Sequence, residues 1–453
     1  MTAVMADLLT EGEARTLCER ALRRITADAS EVRVVGTMAG NTRAAVNRIT
    51  TGGDVSDLSL VVSAWLGARG ASVATNRTDD RGLAAAAEQV MVLARLAPED
   101  PEHMALPSDQ RYAPIEAFFP ATAGLEATTR VDATVAMLNE AKEADLVGSS
   151  YVSHEASARA IANSAGLFAY HRATAVSLST TVRTADGRGS GWAGATHNDW
   201  ERVGQAQRLA RVAVDKARAS VNVGEVEPGA FTVVLEPTAV ADLLRLLPRA
   251  LDARTADEGR SPFSAQGGGT KAGERVVSPR VTIFSDPADP DLLTVPFTDE
   301  GLAIPRTTWI EEGILRNLAS SRYWADRQGR APTPLGGGLK MAGGNASLDA
   351  LIGGIERGLL ITRFWYVRAV DPRTLHYTGL TRDGTFRIEG GRITGAVPNL
   401  RFNESLLGML ERVTALGVTG RTLSSGAGDP GPAIAVPPIV VDDFHFTSVS
   451  DAI

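Results

Sequence analysis

His154 and Glu155 open like a zinc-binding HExxH, in which two imidazoles hold the metal and the glutamate works on its water. The second imidazole is missing, because position 158 is alanine and position 159 arginine. His103, His171, His197, His376 and His445 are scattered without ligand spacing and read as surface or hydrogen-bonded structural residues, although His445 stands near Asp442 and Asp443. Asp286, Asp289 and Asp291 hint at a calcium loop. Pro287 and Pro290 interrupt them and the closing glutamate is absent, so they read as a solvated turn. The run Gly336–Asn345, GGGLKMAGGN, has the glycines of a phosphate cradle, but Lys340 is followed by methionine where serine or threonine is needed. It reads as a flexible loop outside the core, a peptide contact or a hinge. Arg382 and Asp383 leave two readings open: an exposed turn salt bridge, or part of the wall of a peptide site.

The elements that must carry any site are clearest at Phe231–Ser264. Phe231–Leu235 is β-branched and apolar, as a strand should be, and Glu236-Pro237 suits entry into a helix. Val240, Leu243, Leu244, Leu247 and Leu251 then recur at helical spacing, while Pro248 removes a helical hydrogen bond. Upstream, Thr10 and Glu13 form a capping box for a helix to about Thr26. Val32–Met38 and Thr42–Thr50 read as a hairpin about Ala39-Gly40-Asn41, and Leu58–Leu66 with Gly70–Asn76 as another strand pair. Helices are expected from Asp80 to Leu96, Thr128 to Ala144 and Asp199 to Ala219. Between the last two, strands are expected at Leu146–His154, Ala158–Ala162, Phe168–Ser179 and Ser177–Ala185. Val223–Gly229 is short and polar, a natural boundary between an N-terminal domain, 1–225, and a β-rich C-terminal domain, 226–453. Downstream, Thr381–Ile393 has the form of a glycine-turn hairpin. The whole reads as α+β.

The Phe231–Ser264 stretch, the Asp299-Glu300-Gly301 triplet, the Ser261-Pro262-Phe263-Ser264 run and the RDGTFRIEGGRI block together resemble the TldD/PmbA family of zinc metallopeptidases, also called the modulator of DNA gyrase family. The likeness covers nearly the whole chain. Catalytic members of that family carry HExxxH on the helix. The resemblance sets the first histidine against Arg245, the glutamate against Leu246 and the second histidine against Ala250. Arginine stays protonated, and leucine and alanine have no donor atom. The family's late cysteine ligand falls in Ser425–Gly431, which has no cysteine. These losses resemble the PmbA (TldE) branch, whose members pair with a zinc-bearing TldD-like subunit. The resemblance therefore implies no metal and no catalytic residue in this chain, with zinc in the partner. It also implies a substrate chamber for peptides or amide-containing small molecules, bordered by Arg382, Asp383, Phe386 and Asn345. Two rival readings are a self-contained metal-independent amide hydrolase and a homodimeric binding or regulatory protein.

The bulk properties fit that frame. The 453 residues are enough for two domains, with 44% hydrophobic and 22% charged residues. A net charge of −7 argues against a non-specific grip on nucleic acid. There is no apolar run of membrane-spanning length, and the acidic N-terminus lacks the basic start of a signal peptide, so the expected location is cytoplasmic. Cys18, the single cysteine, lies in line with Leu17, Ala21 and Leu22 and reads as a buried apolar residue.

Overall fold

A computed structural model describes residues 8–108, 110–425 and 432–450. Its first sheet is antiparallel throughout, with strands in the order Arg69–Thr75, Arg48–Leu66, Ala29–Ala45, Val147–Asn163, Phe168–Arg183 and Ser190–His197. The expected turn at Ala39-Gly40-Asn41 is not there. The strand Ala29–Ala45 runs straight through it and turns at Val46 and Asn47, whose φ angles are 51° and 59°. Gly40 serves a different purpose: a Cβ there would lie 2.3 Å from Asp54 Oδ1 and 2.5 Å from Arg130 Nη1. The glycine leaves room for a 2.6 Å ion pair between those two side chains. Asn47 makes the true turn, donating to the Leu146 carbonyl at 2.9 Å and accepting from the Gly148 N–H at 2.7 Å. The expected breaks near Ala156 and Ser177 are likewise absent, each pair of short strands being one long strand.

Helices Glu11–Leu22, Asp80–Leu96, Ala127–Glu143 and Ala206–Ala219 pack on this sheet through small and branched residues. The capping box at Thr10 and Glu13 is formed. Cys18 is fully buried beside Leu17 and Ala21, and burial pushes its thiol up to about 12. The last helix begins at Ala206 rather than Asp199. A short 3-10 turn, Trp200–Arg202, and Gly204 at φ 96° come between.

The remaining strands belong to two further sheets, drawn from Gly229–Ser450. The larger has the order Phe364–Asp371, His376–Thr381, Asn399–Ser405, Ile439–Ser450, Gly229–Leu235, Arg357–Ile361, Thr385–Glu389 and Arg392–Ala396, with Val413–Leu416 pairing onto Ile439–Ser450. The smaller has the order Ile314–Leu315, Thr307–Glu311, Ile283–Ser285, Leu339–Met341, Ile434–Val436 and Gly420–Thr422. Helix Pro237–Leu244 lies in the core that joins them, among Val233, Leu235, Trp309, Met341 and a ring cluster of Phe364, Phe402 and Phe444.

GGGLKMAGGN is therefore only partly a loop. Leu339 and Met341 are core residues of a strand, since the alternation L-K-M sends both apolar side chains inward. Lys340, on the other face, bonds Asp289 at 2.9 Å and Asp291 at 2.8 Å. The acidic turn is thus not simply solvated, because two of its three carboxylates hold this lysine. Helices and largely antiparallel sheets make the fold α+β, and no helix among the described residues is long and apolar enough to cross a membrane.

Candidate functional site

Helix Pro237–Leu244 is shorter than its apolar stripe suggests. It ends at Leu244, Arg245 caps it, and the chain tightens into a 3-10 turn at Leu247–Arg249 around Pro248. The apolar residues beyond the break still face inward: Leu246 and Ala250 belong to the same core as Leu243 and Leu247. Arg245 turns aside, and it lines a cavity of about 300 Å³. Pro248, Gly336–Gly338, Arg421, Leu423 and Ile434 also stand on its wall. Gly338 passes so near the opposite strand that a Cβ would lie 2.8 Å from the Ala433 carbonyl oxygen.

One bank of this cavity is tied down by Asp242, which is buried three residues before Arg245. Its carboxyl accepts from Ser424 Oγ at 2.9 Å, the Ser425 N–H at 2.7 Å, Ser425 Oγ at 2.8 Å and the Phe364 N–H at 3.0 Å. Burial pushes Asp242 up from the ordinary aspartate value, and these donors pull it back. The carboxyl joins the broken helix to the segment at Ser424 and Ser425 and to the edge strand at Phe364.

Arg421 stands on the wall between this cavity and an adjoining one of about 390 Å³, lined by Glu155, Arg159, His171, Thr174 and Asn198. Arg421 donates to Asn198 Oδ1, linking the strand Gly420–Thr422 to the first sheet. Burial drags its guanidinium down to about 10, with Asp291 opposing. Nearby, burial first, then the charges of Arg421 and Arg202, lower His197 to about 4, while its Nδ1 accepts from the Asp199 N–H at 2.9 Å. His171 and His154 are also lowered to about 4, chiefly by burial.

The described residues here do not supply a set of metal ligands. Arg245 brings a fixed cation, Leu246 and Ala250 are packed into the core, and among the described residues no group of three or more His, Cys, Asp or Glu stands together. His154 is a buried strand residue. Of Ser425–Gly431, all but Ser425 lies outside the described residues.

The hairpin expected at Thr381–Ile393 is formed by Thr385–Glu389 and Arg392–Ala396, with Arg382 and Asp383 in the connection before it, and the four residues expected at the chamber face different ways. Asp383, at φ 52°, is buried; it accepts from Arg363 Nε at 2.6 Å and from Ser190 Oγ. Phe386 is packed among Val234, Leu360 and Ile388. Arg382 is half-buried, its guanidinium 5.1 Å from the centre of the Trp365 ring, and burial lowers it from the ordinary arginine value. Asn345 is exposed beyond the strand Leu339–Met341. The structure does not gather these four into one cluster of exposed groups.

Sequence reasoning reached Arg245 but missed Asp242, Arg421 and Asn198. Asp242 left a trace, an acid inside the apolar run AVADLL, where burial demands partners. Arg421, in TGRTLSSG, left none, since its burial depends on a domain contact.

Comparison with known proteins places this geometry. A model described as the PmbA/TldA metallopeptidase central domain matches residues 125–221, and one described as the PmbA/TldA metallopeptidase C-terminal domain matches 228–448. A protein named "Metalloprotease" from Methanothermobacter thermautotrophicus is 24% identical over 311 residues; the match covers 63% of this chain and 65% of that protein's length. The crystal structure of TldE from Thermococcus kodakarensis superposes with a TM-score of 0.85 at 19% identity, over 96% of this chain and 99% of the other. A candidate modulator of DNA gyrase from Thermotoga maritima gives 0.80 at 17% identity, over 92% and 96%. Another from Bacteroides thetaiotaomicron gives 0.81 at 20%, over 98% and 100%.

Proposed function

The chain belongs to the PmbA/TldD metallopeptidase family, and from that premise we propose that it is the non-catalytic, TldE-like subunit of a two-chain metallopeptidase. Its partner is a TldD-like homologue that supplies the zinc, and the pair hydrolyses amide bonds in peptides or peptide-like molecules. One observation carries the reading. Where the family's resemblance sets its metal-binding residues, this chain has a guanidinium, a buried leucine and a buried alanine on a broken helix. The framework around them is filled and tied, as at Asp242, which is the state of a retained scaffold. Such a subunit contributes by completing the chamber and positioning substrate, which lowers a barrier without doing chemistry.

Within this reading the two halves, 1–225 and 226–453, both face the chamber. Arg382 and Asn345 are the chamber residues able to touch substrate, while Asp383 and Phe386 fix the hairpin from inside. The test is co-expression with a homologue that keeps HExxxH. A complex with one copy of each chain is expected, with amide hydrolysis requiring both. Full hydrolysis by this chain alone would overturn the reading.

A further inference from the structure

We propose that the cavity beside Arg245 binds a carboxylate borne by an apolar group, such as the free C-terminus of a peptide ending in an aliphatic residue. The cavity has two guanidiniums and no acid in its wall. The Nε atoms of Arg245 and Arg421 are buried and have no hydrogen-bond partner among the described residues. Glu155 lines the adjoining cavity rather than this one, and two other acids of the region are committed elsewhere. Asp291 is 2.8 Å from Lys340, and Asp242 is taken up by Ser424, Ser425 and Phe364. Removing a charge from water without a partner is costly, and the cost is recovered when a ligand brings the counter-charge.

The shape and chemistry of the wall narrow the ligand. An arginine fork matches the plane of a carboxylate, and two of them suit a group with two oxygens. Leu335, Leu339, Leu423 and Ile434 make much of the remainder apolar, beside the hydroxyl residues Thr196, Thr422 and Ser424, which suits an aliphatic side chain and disfavours a phosphate dianion with its larger desolvation cost. The volume of about 300 Å³ admits one such residue rather than a long chain. Asn198 holds Arg421 from the first sheet, so the two domains together set the distance between the guanidiniums.

The inference concerns this chain by itself and goes beyond the partnership proposed above, which co-expression tests separately. Titration calorimetry on the full chain would compare N-acetyl-leucine with N-acetyl-leucinamide, and a tetrapeptide ending in leucine as free acid and as amide. The free acids are expected to bind at least about tenfold more tightly than the amides, a difference of about 1.4 kcal/mol. Tighter binding of the tetrapeptide acid assigns the site to peptide termini; equal binding of the two acids assigns it to small carboxylic acids. Arg245→Gln and Arg421→Gln should each weaken the acids and leave the amides unchanged. Equal affinity of acid and amide, no binding of either acid, or undiminished acid binding by the double variant would overturn the proposal. The acid–amide comparison needs no variant, so it stands even if the substitutions impair folding.

Discussion

Arg363 is buried and Arg421 half-buried, and the two arginines live under opposite regimes. Arg363 is matched: Asp383 takes its fork, Ser190 caps the carboxylate, and the Trp192 and Trp365 rings lie 5.2 and 5.5 Å from its guanidinium carbon. Arg421 has an amide oxygen, one distant carboxylate and an empty space beside it. The first arrangement joins the domains as fixed structure, because every charge in it is answered. The second leaves a positive field in an apolar hollow, which is an arrangement for recognising something. The difference lies in the neighbours, not in the residue type.

The largest test of this contrast is Asp383→Asn, which keeps the left-handed backbone tolerable and removes the counter-charge of Arg363. Urea unfolding should show a loss of ~3–5 kcal/mol, the cost of an orphaned buried charge. A change within error would make Arg363 as unmatched as Arg421 and collapse the comparison. Next is Asp242→Asn, which turns one acceptor into a donor opposite hydroxyl and amide donors. A loss of ~1–3 kcal/mol is expected by the same measurement. Arg421→Met should have the opposite sign, raising stability by about 1 kcal/mol, since it deletes an unanswered charge. A clear destabilisation there would mean that the contact to Asn198 outweighs the field.

The smallest effect is a titration. His197 sits at about 4 partly because Arg421 is beside it, so NMR should find its pKa raised in Arg421→Met. The same depression has a global consequence. His154, His171 and His197 bind protons near 6.5 when unfolded and only near 4 when folded. The stability present above pH 6.5 is therefore lost as pH falls towards 4. Glu31, pushed by burial up to about 7, opposes this by favouring the fold at low pH and losing that contribution as pH rises from 4.5 to about 7. Asp242, which burial also raises, acts in the same sense as Glu31; with three histidines against two carboxyls, the melting temperature should fall between pH 6.5 and 5.

Much of this was legible in the sequence where local physics decides. The capping box at Thr10, the helix entry at Pro237 and the break at Pro248 depend on neighbours within a turn. The degenerate positions Arg245, Leu246 and Ala250 were legible through the family resemblance. The hairpin at Gly40 was misread because its glycine answers a distant pair, Arg130 and Asp54, rather than its own backbone. The strand at Leu339 hid behind flanking glycines, and Lys340 found its acids across the sheet. Arg421 could not be read at all, since only the meeting of two domains buries it.

The position of Ile439–Ser450 in the larger sheet has a consequence for how the chain acquires its shape. This strand lies between Asn399–Ser405 and Gly229–Leu235, in the interior of the sheet. During synthesis Gly229–Leu235 emerges early and can pair with Arg357–Ile361, yet its other edge stays open until nearly the whole domain has followed. Contacts so distant along the chain form slowly and leave an apolar edge exposed meanwhile. The larger sheet thus cannot be completed until this interior strand has been made, like a clasp whose last part comes late.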